Sequence, residues 1–241
     1  IERNKIITVN TISAKDYQTI IALAKKRAEG MPLQYVLGET QFYGYKIKLN
    51  QDVLIPRFET EILVQEALKK ITPQSSVLDL CTGSGCIAIA VQKKSGCKVT
   101  ATDISEKAVK SAKSNAEANN AEIEFIVSDM FENLGGRRFD IIISNPPYIK
   151  SADIGGLERE VKDYEPLSAL DGGEYGLKYY KIIAENAKDY LNDGGSILLE
   201  IGYNQSGEVK KLFYEYKNIE IIKDLDGKDR ILIISGRDIN D

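Results

Sequence analysis

Histidine is absent from this chain of 241 residues, and its three cysteines, Cys81, Cys86 and Cys97, show no metal-ligand spacing. A zinc site and a histidine-based triad are thereby excluded. The thiols read as small packing residues in a reducing compartment. No apolar run reaches the roughly 18 residues that span a bilayer, and the start carries no signal-peptide pattern. Internal repeats and low-complexity segments are lacking as well. Concentrated basic charge is also missing: the net charge is −4, and Lys93-Lys94, Arg137-Arg138 and Lys210-Lys211 are short, dispersed pairs. Affinity for phosphate backbones rests on concentrated cations, so nucleic acid is not expected as a direct partner. What is present, 43% hydrophobic and 28% charged residues, is ordinary for a soluble protein with one large core and a small appendage. A cytoplasmic monomer without a membrane partner and without a bound metal is expected.

Ser13-Ala14-Lys15-Asp16 opens a helix as a capping box. Tyr17, Ile20, Ile21, Ala24 and Ala28 continue it at helical spacing until Gly30-Met31-Pro32 ends it. Residues Gln41 to Ile55 predict a small β-hairpin, and Pro56 to Glu61 lead into a helix reaching about Ile71. Thr72-Pro73-Gln74-Ser75 marks a boundary, which divides the chain into residues 1–72 and 73–241. Beyond it strands alternate with helices. Strands are predicted near Ser76–Leu80, Lys98–Thr102, Ile123–Val127, Asp140–Ser144, Ser196–Ile201, Ile219–Lys223 and Ile231–Ser235, and helices near Ile87–Lys94, Glu106–Asn119, Leu177–Leu191 and Gln205–Tyr214. This pattern predicts an α/β fold, a doubly wound, mostly parallel seven-stranded sheet with helices on both faces. The last two strands are joined through Asp226-Gly227-Lys228-Asp229, too short for a parallel crossover, and should form an antiparallel C-terminal hairpin. The long link Ile149 to Glu174 is expected to be a flap over substrate.

Two motifs carry chemistry. Asp79-Leu80 ends the first strand of the sheet and is followed by Cys81-Thr82-Gly83-Ser84-Gly85 and a helix, the opening of a nucleotide-binding βαβ unit. Asp103 ends the next strand, about 20 residues on, where such folds meet a ribose hydroxyl pair. Cys81 and Cys86 replace two glycines that a pyrophosphate requires. Asp79 would repel phosphate and attract a cation, which favours S-adenosylmethionine over a dinucleotide. Capping is the alternative role for both aspartates. The second motif is Asn145-Pro146-Pro147-Tyr148, at the carboxyl end of a buried strand, where open α/β sheets bind ligands. Its prolines stiffen the turn and remove N–H donors, so the Asn145 side chain and the backbone carbonyls form convergent acceptors for an N–H2 group, with the Tyr148 ring to stack on the attached π-system. An ordinary strand-closing turn is the competing reading.

Further stretches narrow the field: Pro32 to Gly38, Val53 to Glu61 and Tyr164 to Leu170. Together with the two motifs they make the chain resemble the class I S-adenosylmethionine-dependent methyltransferases, Rossmann-like enzymes. The closer resemblance is to the HemK-type protein-glutamine N(5) methyltransferases, and it runs from about Gly30 to the C-terminus. The resemblance implies methyl transfer to the glutamine amide of the Gly-Gly-Gln tripeptide of peptide chain release factors, with S-adenosylhomocysteine as the second product. It also implies that Cys81 to Gly85 (Cys81, Thr82, Gly83, Ser84 and Gly85) contact the methionine part of the cofactor, that Asp103 meets the ribose, and that Asp129 and Met130 flank the adenine. Asn145, Pro146, Pro147 and Tyr148 would hold substrate, Asn145 also bordering the cofactor. Core packing is the other reading of Met130, and Arg57, Glu59 and Glu61 are either entrance residues or solvated helix-opening charges. A ribosomal-protein glutamine and the amino groups of nucleic acid bases are alternative acceptors, and a non-catalytic cofactor-binding scaffold is a further reading. Two departures stand out. Cys81 occupies a position where that family usually has glycine, and of its N-terminal helical bundle only the helix Ser13 to Glu29 is expected, so a shortened N-terminus with weakened partner docking is anticipated.

Overall fold

Successive residues of a strand point to opposite faces of a sheet, and Ile141, Ile142 and Ile143 in a row therefore demand apolar cover on both sides. The computed structural model of the protein describes residues 11–237 and shows that cover. The outer ends of the two segments anticipated above, residues 1–10 and 238–241, lie outside the described residues. Val77, Ile141, Ile143, Leu198 and Ile233 face one apolar cluster, while Leu78, Ile142, Ile197, Leu199 and Leu232 face the other. Full burial of each such side chain contributes about 1.5–3 kcal/mol.

The main sheet contains β3 (Ser76–Leu80), β4 (Lys98–Asp103), β5 (Ile123–Val127), β6 (Phe139–Ser144), β7 (Leu191–Glu200), β8 (Tyr216–Lys223) and β9 (Asp229–Arg237). β1 (Glu39–Phe42) and β2 (Tyr45–Lys48) form the separate antiparallel hairpin. The order across the main sheet is β5-β4-β3-β6-β7-β9-β8. Five strands run parallel, and β9 lies antiparallel between β7 and β8, as the short Asp226-Gly227 connection requires. Helices α3 (Phe58–Leu68), α4 (Cys86–Ser95) and α5 (Glu106–Ala118) supply the first apolar cluster, and α7 (Lys178–Tyr190) and α8 (Ser206–Leu212) supply the second.

The hairpin and α3 have no core of their own. Phe42, Ile47, Leu63, Val64 and Ala67 join Val77, Ile89 and Ile141 in one cluster. By contrast α1 (Ala14–Ala28), capped by Ser13 accepting from Asp16 N at 3.0 Å, buries no residue. Tyr164 Oη donates to the Glu29 carbonyl at its C-terminal end.

Several local features depart from the sequence expectation: the hairpin ends at Lys48 and not near Ile55, and β8 begins at Tyr216 and not at Ile219. A short helix, α2 (Leu33–Leu37), occupies a stretch for which no element was anticipated. β7 also begins at Leu191, five residues early, because Phe139 pairs with Leu191 and Ile141 already with Ser196. The intervening residues bulge, with Gly194 at φ +75°, and Asn192 Nδ2 donates to Asp140 Oδ1 at 2.8 Å. A left-handed glycine costs no side-chain clash, which permits the bulge.

Sheet progress sets the position of the site. From β3 the chain moves outward through β4 to β5, then returns to place β6 against the other side of β3. All four strands are parallel, so their carboxyl ends share one edge, and the reversal of direction opens a crevice there.

Candidate active site

After Leu80 the backbone enters a tight turn that closes into α4. Cys81, Gly83 and Gly85 have φ of +60°, +54° and +81°, and Gly85 N donates to the Thr82 carbonyl at 2.9 Å. A Cβ on Gly85 would lie 3.0 Å from that of Ala112, so the approach of α5 to this turn requires glycine. Asn115 Nδ2 on α5 donates to the Ser84 carbonyl at 2.9 Å and its Oδ1 accepts from Lys48 N at 2.8 Å, which ties turn, helix and hairpin together.

Beneath the turn lies Asp79, 0% exposed. Thr82 Oγ1 donates to its Oδ2 at 2.6 Å, and among the described residues its Oδ1 has no partner. Burial in this apolar setting pushes its carboxyl up to about 7. Asp79, Thr82, Ser84 and Gly85 stand behind the wall of the crevice, and only Cys81 and Gly83 of this group line it.

The crevice runs along the carboxyl ends of β3, β4, β5 and β6, where open α/β sheets hold small molecules. From the end of β4, Asp103 lines it, with Oδ2 accepting from Gly83 N and Oδ1 from Ser105 N, both at 2.9 Å. Each carboxylate oxygen keeps further acceptor capacity. Burial raises the pKa of this group above the usual carboxylate range. Past β5 come exposed Asp129 and buried Met130, the latter at φ +46°. Ser128 holds that turn, donating to the Met130 carbonyl and accepting from Asn133 N, both at 3.0 Å.

Cys81 and Met130 are thus two left-handed residues that are not glycine, side by side on the wall, with Sγ 3.7 Å from Sδ. Burial, then Asp103 and Asp79, push the Cys81 thiol far up, so it stays protonated and does not act as a nucleophile. Left-handed backbone costs a residue with a Cβ about 1–2 kcal/mol. Cys81→Gly should therefore keep thermal stability within about 1 kcal/mol of wild type, relief of strain offsetting the greater freedom of the unfolded chain. Cys81→Val, β-branched at the same φ, should lose about 2 kcal/mol or more in urea unfolding. Equal stabilities for the two variants would show that the backbone there relaxes freely.

Asn145 and Pro147 form the next stretch of wall, at the end of β6, whereas Pro146 and Tyr148 do not line the crevice. Asn145 Nδ2 donates to Thr60 Oγ1 at 3.2 Å, and among the described residues nothing donates to Asn145 Oδ1 or to the Pro146 carbonyl. The corner is fixed from behind by Gln205. Its Nε2 donates to the Tyr148 carbonyl at 3.0 Å and the Gly176 carbonyl at 3.1 Å, and its Oε1 accepts from Gly202 N at 3.0 Å. Burial pushes the Tyr148 phenol up to about 12, so it remains neutral.

The link from Ile149 to Glu174 is a structured wall. It contains 3₁₀ turns at Ser151–Gly156 and Leu167–Ala169 and the short helix α6 (Arg159–Lys162). Glu165, buried, accepts from Ile55 N and pairs with Arg57, and the adjoining Pro166, Ser168 and Ala169 line the crevice. Ser105 and Tyr179 on the crevice wall were not read from the sequence, nor were Thr60 and Glu200 behind Asn145. Thr60 hides among helix-opening residues and shows its role only through its contacts. Glu200, at the carboxyl end of buried β7, carries the signal that singled out Asp79 and Asp103.

The profile of a family described as "methyltransferase small domain" matches residues 58–156. The chain is 44% identical to a release factor glutamine methyltransferase of Thermodesulfovibrio yellowstonii, over 97% of this chain and 87% of that protein. It is 41% identical to one of Geobacter sulfurreducens, over 87% and 75% respectively. Among solved structures, a methyltransferase from Pyrococcus furiosus superposes with a TM-score of 0.62 at 22% identity, covering 92% of this chain and 98% of that one. A T. thermophilus 16S rRNA N2 G1207 methyltransferase, in complex with AdoMet and guanosine, gives 0.58 at 19% identity over 83% and 50%. These two establish likeness of fold.

Proposed function

The chain belongs to the release factor glutamine methyltransferases, and from that premise we propose that it transfers a methyl group from S-adenosylmethionine to the side-chain amide nitrogen of the glutamine in a release factor's Gly-Gly-Gln motif. The observation that carries the reading is the Asn145-Pro146-Pro147-Tyr148 corner at the crevice edge, with the Asn145 amide held through its nitrogen and its oxygen left, among the described residues, without a donor. An amide nitrogen is a poor nucleophile because its lone pair is delocalised into the carbonyl. Asn145 Oδ1 and the Pro146 carbonyl accept its two N–H bonds, turn it toward the methyl group and stabilise the charge that develops on it. Tyr148 packs on the apolar cluster behind the corner and helps to fix it.

The crevice residues fit the cofactor. Asp103 offers acceptors to a ribose diol, Asp129 and Met130 lie where an adenine would be flanked, and Cys81 and Gly83 border the space for the methionine part, with Asp79 behind them. When bound, S-adenosylmethionine supplies an electrophilic methyl carbon on a sulfonium leaving group. Asp103→Ala should weaken cofactor binding by about tenfold or more while sparing kcat at saturating cofactor, the pattern of lost uniform binding. An unchanged dissociation constant in calorimetry removes Asp103 from the ribose.

In the same reading residues 1–72 serve substrate docking, residues 73–241 serve catalysis, and the enzyme is a cytoplasmic monomer acting on protein. Among the described residues no helix is long and apolar enough to cross a membrane. The direct test is incubation with labelled cofactor, a release factor and its Gln→Ala variant, followed by peptide mass mapping. Label on the Gly-Gly-Gln glutamine supports the proposal. Label retained by the Gln→Ala variant, or found on a ribosomal protein or nucleic acid instead, overturns it.

A further inference from the structure

Glu200 is 1% exposed at the end of β7, and no ion pair involving it occurs among the described residues. A buried carboxylate without a salt bridge is costly and depends on its hydrogen bonds. Thr60 Oγ1, itself buried, donates to Glu200 Oε2 at 2.7 Å and accepts from Asn145 Nδ2 at 3.2 Å. From the far side, Tyr180 Oη donates to the backbone carbonyl of Glu200 at 2.9 Å and holds the end of β7 in place. We infer that Glu200 and Thr60 are positioning residues, forming a relay that sets the polarity of the Asn145 amide so that its oxygen, and not its nitrogen, faces the acceptor nitrogen.

The chemistry follows from counting protons. An ionised carboxylate only accepts. The single hydroxyl proton of Thr60 is therefore committed to Glu200, and the Thr60 oxygen is left as an acceptor. Only the N–H2 end of Asn145 satisfies it, which turns Oδ1 to the crevice. A protonated Glu200 reverses the sequence: it donates to Thr60, frees the hydroxyl proton for Asn145 and favours the flipped amide, whose N–H2 would oppose that of a substrate amide. Burial pushes the Glu200 carboxyl up to about 7. The groups that bear on it are Thr60, Glu59 and Arg57 at the start of α3, the Cys86 thiol at the start of α4, Arg230 on β9, Tyr148 at the corner and Tyr180 on α7. Arg230 and Arg57 favour its ionised form and Glu59 opposes it. The relay is therefore set when Glu200 has lost its proton and is lost as pH falls through that value.

This inference rests on the reading of Asn145 as the substrate's acceptor, and the test separates the two. Thr60→Val keeps the shape and removes the hydroxyl. Its kcat toward release factor should fall about tenfold or more at pH 8, as expected for a misoriented reacting group, with cofactor affinity and cooperative unfolding retained, and Thr60→Ser should recover most of the activity. The ratio of wild-type to Thr60→Val kcat should shrink between about pH 8 and pH 6, because the wild type loses the same polarity when Glu200 is protonated. A packing role for Thr60 predicts a ratio independent of pH, and that result, or a Thr60→Val enzyme as fast as wild type, overturns the relay. Should Thr60→Val fail to unfold cooperatively, Glu200→Gln carries the test: its kcat should lack the wild-type fall toward low pH, and retention of that fall rejects the relay. An inactive Asn145→Ala beside an undisturbed Thr60→Val rejects the relay alone. A fully active Asn145→Ala rejects the underlying reading and the relay with it.

Discussion

Asn145→Ala should lower turnover by on the order of 10² or more, as for loss of one preorganised polar contact to a reacting group, and leave cofactor affinity within a few-fold. The side chain lines the crevice and, among the described residues, makes one hydrogen bond, from Nδ2 to Thr60. Truncation therefore removes one donor from a threonine that keeps its bond to Glu200, a change the fold should tolerate. The whole effect is expected in single-turnover rate at saturating cofactor and release factor. Calorimetry on the same protein measures cofactor binding separately. Equal losses in rate and in cofactor affinity would place Asn145 in the cofactor site or the folding core and remove it from the reaction.

Asp79→Asn should make the protein more stable at pH 8 and no more stable near pH 4. The Asp79 carboxyl titrates near 7 in the folded protein, against about 3.9 in an unfolded chain. Between those values the native state holds a proton that the unfolded state has released, so wild-type stability falls as pH rises through this window and levels off above it. Asparagine keeps an acceptor for Thr82 and carries no charge to bury. The gain above pH 7 is on the order of 4 kcal/mol, about 10 °C in melting temperature for a chain of this size. Glu200 titrates in the same range, but it is present in both proteins and cancels in the difference. A melting-temperature gain of equal size at pH 4 and pH 8 would contradict the buried-charge account. If the negative charge of Asp79 also draws the cationic methyl donor to the crevice, the stabler variant should bind it more weakly, a familiar exchange of activity for stability.

Much of this molecule is legible without coordinates because its signals are local. Short continuous apolar runs alternating with helical stretches, glycines at a strand-to-helix turn, and seven residues between the last two strands leave few options for topology. The mostly parallel seven-stranded sheet and its antiparallel C-terminal hairpin followed from these, and Asp103 and Asn145 at strand ends do line one crevice, whereas the order of the strands became visible only in the structure. Boundaries were less legible. The bulge that starts β7 at Leu191 depends on Asp140 and Asn192 meeting across strands, and the ordering of the link after Tyr148 depends on Arg57 and Glu165, 108 residues apart.

Residue types and spacing thus dictated the sheet, the edge where ligands gather and some of the side chains that reach it, since periodicity and turn chemistry act over a few residues. Tertiary contact alone decided which way the Asn145 amide points, that Asp79 is sealed behind the turn, and that Glu200 stands behind Thr60. Burial and hydrogen-bond polarity are properties of neighbours brought together from distant parts of the chain, and neither is written in the order of residues along it.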